Sequence, residues 1–278
     1  MRDNNKRLGV KKEEDSVASS SQSTFGLNFV TPTEFVELPS KGLLYPPNHP
    51  LYKQKVIEIK QMTAKEEDIL TSESLIKNGL VLSRFIESVI VDENIDPLSI
   101  LSCDRNAIVV WSRIYGYGRE YQTGYACPSC STKQKTSFDL VECMEREDEE
   151  EEPLEGVEIS ESGNLVVTLP ATGWRVECNM LNGYSEKKLQ AQQKTKKKKD
   201  FTASSQLKLM IKSIEGEEDA QTILRAVEVM PAKDSLHLRR TYTDFYPTLD
   251  LKHEFVCGNC DFSQEVEVPI TADFFWIK

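Results

Sequence analysis

Histidine is scarce in this 278-residue chain: there are only three, and they stand far apart as His49, His237 and His253. Such scattering supplies neither an HExxH pair nor a nucleophile–base grouping. The sequence also lacks a glycine-rich phosphate loop. "GYGREY" at 116–121 is too short for one and lacks the strand-to-helix setting of a dinucleotide fingerprint. No apolar run approaches the roughly 18 residues of a membrane span. The polar start "MRDNNKRLGVKKEEDS" has no signal-peptide core. These absences lead us to expect a protein that is not an enzyme and that stays in the compartment of its synthesis. Basic charge is also in deficit. The formal net charge of −11 argues against a general nucleic-acid binder, whose surface is normally basic. Hydrophobic residues make up 39% and charged residues 28%, the balance of a folded protein that carries polar segments.

What is present is cysteine in a particular arrangement. The total of seven is odd, and without a secretion signal it points to reduced thiols rather than a disulfide framework. Four of the seven form two Cys-x-x-Cys pairs, Cys127/Cys130 in "GYACPSC" and Cys257/Cys260 in "HEFVCGNC". The flanks of each pair alternate in strand fashion. Tyr121, Thr123 and Tyr125 share a face before the first pair, and Phe138 and Leu140 follow it. Leu249, Leu251, His253 and Phe255 precede the second, and Phe262, Gln264, Val266, Val268 and Ile270 follow. Pro128-Ser129 and Gly258-Asn259 are turn-forming dipeptides, so each pair is expected at the tip of a β-hairpin. A redox dithiol normally opens a helix after a strand, where the dipole lowers the thiol pKa, and no amphipathic helix follows either pair. Two matched pairs instead compose the donor set of one tetrahedral zinc ion bound by Cys127, Cys130, Cys257 and Cys260. Four thiolates leave no open coordination position, so such a site is structural. The interval 131–256 exceeds the usual ligand spacing, and the chain between the pairs must leave and return to one point. Cys103, Cys143 and Cys178 have no partner at ligand spacing and read as ordinary thiols. His253 reads as a strand residue or as a neighbour of the ligands, and His237 as a surface or interface residue.

The pattern along the chain suggests an α+β fold: a helical unit, β-hairpins forming a four-cysteine zinc-ribbon-like element, and a charged central insertion. Residues 1–28 read as a disordered tail and 29–118 as a strand plus a helical unit. The first knuckle hairpin is placed at 119–141 and a charged segment containing a β-hairpin at 142–200. A helical segment follows at 201–247, then the second knuckle hairpin and a C-terminal strand at 248–278. In the helical unit, Thr63 and Glu66 form a capping pattern. Leu75, Ile76, Leu80, Phe85, Ile86, Val89 and Ile90 recur at helical spacing, and Asp104 offers a cap for "DRNAIVVWSRI". "NLVVTLP" and "GWRVECNML" read as a hairpin, and "SSQLKLMIKSIEG", "EEDAQTILRAVEVM" and "DSLHLRRTYTDFY" as helices. The acidic run within 142–158 and the lysine run at 194–199 read as solvated loops.

Three stretches taken together carry a resemblance: "ELPSKGLLYPPNHPL", "MTAKEEDILTSESLIKNGLVLSRFIESVIVD" and "DRNAIVVWSRIYGYGREY…CPSC". In this order they resemble the T4-type bacteriophage baseplate hub family over about residues 34–140. The resemblance implies a hub component or a hub-assembly factor (a chaperone) in contractile-tail morphogenesis. Its partners would be other baseplate and tail proteins, met in the host cytoplasm during assembly or in the virion tail. The family contributes no catalytic residue. The rigid segment "LPSKGLLYPP", with Leu43, Leu44 and Tyr45, either offers a contact or covers the protein's own core. Two other readings remain. One is a zinc-ribbon nucleic-acid-binding regulator using Lys187, Lys188, Lys194 and Lys196 to Lys199. The other is a thiol oxidoreductase.

Overall fold

Alternation sets the first element pair. In β1 (Thr33–Glu37) Val36 turns inward while Phe35 faces solvent, and in β2 (Val56–Lys60) Ile57 and Ile59 are buried between exposed Val56 and Lys60. The two strands pair antiparallel, with Val36 opposite Ile57. The computed structural model describes residues 31–144, 156–188, 203–247, 249, 251–268 and 272–275. Residues 1–28, most of the acidic run and the whole 194–199 lysine run therefore lie outside the described residues.

Between β1 and β2, the proline-rich segment folds back on the core. Leu44 and Tyr45 are buried and Leu43 is exposed, so the segment mainly covers the protein's own interior. A buried carboxylate holds it there. Asp104 accepts hydrogen bonds from the Ser40 N–H (3.0 Å), the Ser40 hydroxyl (2.6 Å) and the Tyr45 hydroxyl (2.7 Å). The Tyr45 oxygen in turn accepts from the Leu101 N–H at 3.1 Å. Asp104 is thus not the cap expected from its position, since the helix already begins at Ser102. Its donors lie some sixty positions away in the chain, which no local pattern encodes.

Four helices follow β2: α1 (Ala64–Thr71), α2 (Glu73–Asn78), α3 (Val81–Val89) and α4 (Ser102–Tyr117). The Glu66 carboxylate accepts from both the N–H and the hydroxyl of Thr63, the expected helix start. The continuous apolar stripe expected from Leu75 to Ile90 is broken. Gly79 takes a left-handed conformation (φ 70°) that closes α2, and no residue of α2 is buried. Only the part of the stripe in and just after α3, Phe85, Ile86, Val89 and Ile90, is buried in the core. In α4 burial covers nearly the whole helix surface, including Ala107, Ile108, Val109 and Val110, as for a helix surrounded by other elements.

The chain then forms a hairpin of β3 (Glu120–Ala126) and β4 (Lys133–Asp139), followed by the short α5 (Leu140–Met144). A four-stranded antiparallel sheet comes next, in the order β5 (Val157–Ile159), β6 (Leu165–Thr168), β7 (Arg175–Cys178) and β8 (Ile211–Ile214). The expected β6–β7 hairpin is its centre, with Val167 opposite Val176. Helix α6, described over 183–188, and α7 (Ala203–Met210) lie between β7 and β8. The helix expected through "SSQLKLMIKSIEG" ends at Met210, and Ile211–Ile214 becomes β8. The β-branched residues there pair with β7, a tertiary opportunity that outweighs helical spacing. This sheet abuts the proline-rich segment. A side chain at Gly163 (φ 80°) would place its Cβ only 2.5 Å from the Leu44 carbonyl oxygen.

Helices α8 (Ala220–Val229) and α9 (Ala232–Phe245) complete the helical layer. Asp234, the expected start of α9, lies in its first turn and acts elsewhere: its carboxylate accepts from the N–H groups of Ala171 and Thr172 at 2.7 and 3.0 Å. Burial opposes its ionisation, but these bonds and the Thr172 hydroxyl outweigh that and hold its pKa below the ordinary value. The last strands, β9 (Lys252–Val256) and β10 (Ser263–Glu267), form a second hairpin, and a 3₁₀ turn at Ala272–Phe275 follows. Arg113 fixes that turn to the first hairpin. It donates to the carbonyls of Phe274, Gly118 and Glu120, with its guanidinium over the rings of Tyr117, Tyr121 and Phe274. No helix among the described residues is long and apolar enough to cross a membrane.

Candidate metal centre

The two hairpins meet tip to tip, and each tip is built alike. In the first, the Cys127 N–H donates to the Thr132 carbonyl and the Ser131 N–H to the Cys127 carbonyl, both at 2.9 Å. In the second, the Cys257 N–H donates to the Phe262 carbonyl at 2.9 Å and the Asp261 N–H to the Cys257 carbonyl at 3.1 Å. The residue after each second cysteine is left-handed, Ser131 at φ 59° and Asp261 at φ 53°. That geometry curls both tips so that two sulfurs of each point the same way.

The four sulfurs of Cys127, Cys130, Cys257 and Cys260 all lie within 4.8 Å of one another. Across the hairpins, Cys127 Sγ is 3.8 Å from Cys260 Sγ, and Cys130 Sγ is 3.7 Å from Cys257 Sγ. A disulfide would require about 2.05 Å. A tetrahedron with Zn–S bonds of about 2.3 Å has edges of about 3.8 Å. The spacing therefore suits four thiolates around one metal ion and does not suit a bonded pair. Cys127 and Cys257 are buried, Cys130 is half-buried and Cys260 is exposed. No other group of three or more histidine, cysteine or carboxylate side chains among the described residues is placed to share an ion.

Charge explains why such a cluster favours a cation. The Cys130 thiol is held down at about 5 by the Thr132 hydroxyl and backbone and by the Asn259 amide. At Cys260 the Phe262 N–H also lowers the pKa, but desolvation and the three neighbouring sulfurs outweigh it and push the thiol up to about 11. One thiolate thus makes the next harder to form, a conflict that a bound divalent cation removes.

Neighbouring side chains join the tips. The Gln134 amide donates to the Val256 carbonyl and accepts from the Gly258 N–H, both at 3.0 Å, imitating a β-ladder residue. Asn259 Nδ2 donates to Thr132 Oγ1 at 3.1 Å and approaches Cys130 Sγ at 3.7 Å. Tyr125 and Phe255 pack ring to ring with centroids 4.6 Å apart. His253 takes no part as a ligand and lies edge-on to Phe138. The roles of Thr132, Gln134 and Asn259 are not apparent from spacing alone. The one available signal is that Gln134 and Gln264 each stand four residues after a second cysteine. Cys103 and Cys178 are buried apart from the cluster, and desolvation pushes the Cys178 thiol up to about 12.

Architecture and cluster together define a mixed α/β protein with two cysteine hairpins closed on one another. Residues 31–276 match the family model described as T4 bacteriophage base plate protein. The matched region is most of the chain and includes both cysteine pairs, and the chain belongs to that family. No curated protein and no solved structure matches it.

Proposed function

We propose that the protein acts through protein contacts alone, as a baseplate hub component or a hub-assembly factor, and that its four cysteines hold a structural zinc ion. Family membership over residues 31–276 carries the baseplate part of the reading. The convergence of four sulfurs within 4.8 Å supports the zinc part. Bound there, zinc would supply no reaction chemistry, because four thiolates fill its coordination sphere. What it would supply is a cross-link between residues 127–130 and 257–260. The ends of a long excursion would then be pinned together, and the surfaces of the intervening helices and sheet would be presented to partners in one fixed relation.

The nucleic-acid reading draws less support. The second hairpin presents Glu254, Asp261, Glu265 and Glu267 to solvent, which disfavours a phosphate backbone on that hairpin, although Lys133 and Lys135 are exposed on the first. The oxidoreductase reading requires a dithiol at the start of a helix, whereas both pairs occupy hairpin turns.

Elemental analysis tests the zinc. About one ion per chain is expected in reduced protein and much less in Cys257→Ser; a metal-free wild type would reject the proposal. Mass spectrometry of purified tails, compared with complexes isolated from infected cells, separates the two baseplate roles. A hub component is present in finished particles, whereas an assembly factor appears only in the intracellular complexes.

A further inference from the structure

Of the seven cysteines, Cys260 alone is exposed. Cys130 is half-buried, Cys127 is 2% exposed and Cys257 is fully buried. Cys103, Cys143 and Cys178 are buried as well, so a small reagent in solution meets one sulfur before the others. Hydrogen bonding separates the two outer sulfurs further. Cys130 Sγ lies 3.2 Å from the Thr132 hydroxyl and 3.7 Å from Asn259 Nδ2, donors that draw charge from it. Among the described residues, no side-chain N–H or O–H donates to Cys260 Sγ.

The close approaches between sulfurs run across the clasp. Cys127 Sγ, on the first hairpin, is 3.8 Å from Cys260 Sγ on the second, and Cys130 Sγ is 3.7 Å from Cys257 Sγ. An oxidised Cys260 therefore has a resolving thiol beside it that belongs to the other hairpin.

We propose that Cys260 is a peroxide-reactive thiolate, and that oxidation converts the zinc clasp into a disulfide clasp, Cys127–Cys260 first and Cys130–Cys257 second. The starting state rests on the proposed zinc site. The Cys260 thiolate attacks one oxygen of hydrogen peroxide: an S–O bond forms, the O–O bond breaks and hydroxide leaves. The sulfur is thereby oxidised by two electrons to a sulfenic acid. The Cys127 thiolate then attacks the Cys260 sulfur; the S–S bond forms, the S–O bond breaks and a second hydroxide leaves. Two thiolates and one peroxide thus give one disulfide and two hydroxides. A disulfide offers zinc no thiolate, so the divalent ion departs with its charge unchanged. A second peroxide joins Cys130 to Cys257 by the same steps.

The consequence is mechanical. Bonds inside the Cys-x-x-Cys pairs would let the hairpins part once zinc left. Bonds across them keep residues 127–130 and 257–260 together and close the whole excursion between them, which constrains the unfolded chain far more. The ends of the excursion stay pinned in reducing and in oxidising surroundings alike.

The test adds hydrogen peroxide, at about one and about two equivalents, to the zinc-loaded full chain. Zinc release to a colorimetric chelator is followed beside non-reducing peptide mapping by mass spectrometry. Dimedone present from the start labels Cys260 at least about 10-fold faster than any other cysteine. Without dimedone the map shows Cys127 joined to Cys260 and then Cys130 to Cys257, zinc is lost in step, and dithiothreitol with zinc restores the start. The oxidised, zinc-free chain melts about 10 °C above the reduced, zinc-free chain. First labelling at another cysteine overturns the proposal, as do bonds within the Cys-x-x-Cys pairs or sulfinic acid at Cys260 without a disulfide. An oxidised chain no more stable than the reduced metal-free one overturns it too. Failure of the zinc site is distinguishable: wild type purified without zinc rejects the metal, while the linkages formed in that reduced chain still decide how the sulfurs pair.

Discussion

The two cysteine hairpins are near-copies in backbone and differ in how they hold each other. Both curl through the same pair of hydrogen bonds and the same left-handed residue, and both carry a glutamine four positions after the second cysteine. Only Gln134 bridges; Gln264 is exposed, and no partner is described for it. The difference lies in the facing turn. Gln134 meets Gly258, which offers an N–H, whereas Gln264 would have to meet the corresponding Pro128, which has none. The hairpins therefore share a single glutamine bridge, beside the Asn259–Thr132 hydrogen bond. Pro128 thus withholds one of the two hydrogen bonds that a matching bridge from Gln264 would make.

Four experiments probe that comparison, from the largest expected effect to the smallest. Cys127→Ser and Cys257→Ser are expected to be equally severe, because each removes one of the four ligands of the proposed zinc site. We expect a loss of about 5 kcal/mol or more for either, and a melting temperature roughly 10 °C lower by calorimetry. On the proposed zinc site, acidification acts in the same direction in the wild type, because the thiols must lose protons to bind metal, which is released as the pH falls. A metal content insensitive to pH between about 7 and 5 would contradict this.

Second, the anchor beneath each hairpin should be comparable. Phe138 is fully buried and Phe255 is 1% exposed, so either change to alanine costs about 3–5 kcal/mol in denaturant unfolding. A much smaller cost at Phe255 would mean that the second hairpin is held mainly by the metal.

Third, the glutamines should separate. Gln134→Ala leaves the Val256 carbonyl and the Gly258 N–H without their partner and is expected to weaken metal retention about 10-fold, read as release to a colorimetric chelator. Gln264→Ala should leave release unchanged. Equal effects would remove the asymmetry.

Fourth, Ser131→Gly and Asp261→Gly both relieve a left-handed residue. The gain should be at most about 1 kcal/mol at Ser131 and smaller at Asp261, since aspartate tolerates that conformation better. Thermal unfolding of the two variants side by side decides the order.

Much of the site was legible because hairpin tips are local objects. Turn dipeptides, alternating flanks and paired cysteines all fall within about ten residues of each other, and each constrains the backbone directly. The Thr63–Glu66 cap and the β6–β7 hairpin were legible for the same reason. Expectations failed where a distant segment made a better offer. Asp104 had the place of a helix cap and became the buried acceptor for Ser40 and Tyr45. Ile211–Ile214 had helical spacing and became a strand because β7 was open beside it. The stripe through Leu75 and Ile76 had the right period, but Gly79 turned that end of it away from the core.

The sequence by itself determined the two cysteine pairs, their hairpin settings and the family resemblance, all properties of short contiguous segments. Only the tertiary structure decided that the two tips meet and that Gln134 rather than Gln264 joins them. Those outcomes depend on how segments far apart in the chain satisfy each other's hydrogen bonds and apolar surface, which spacing along the chain does not record.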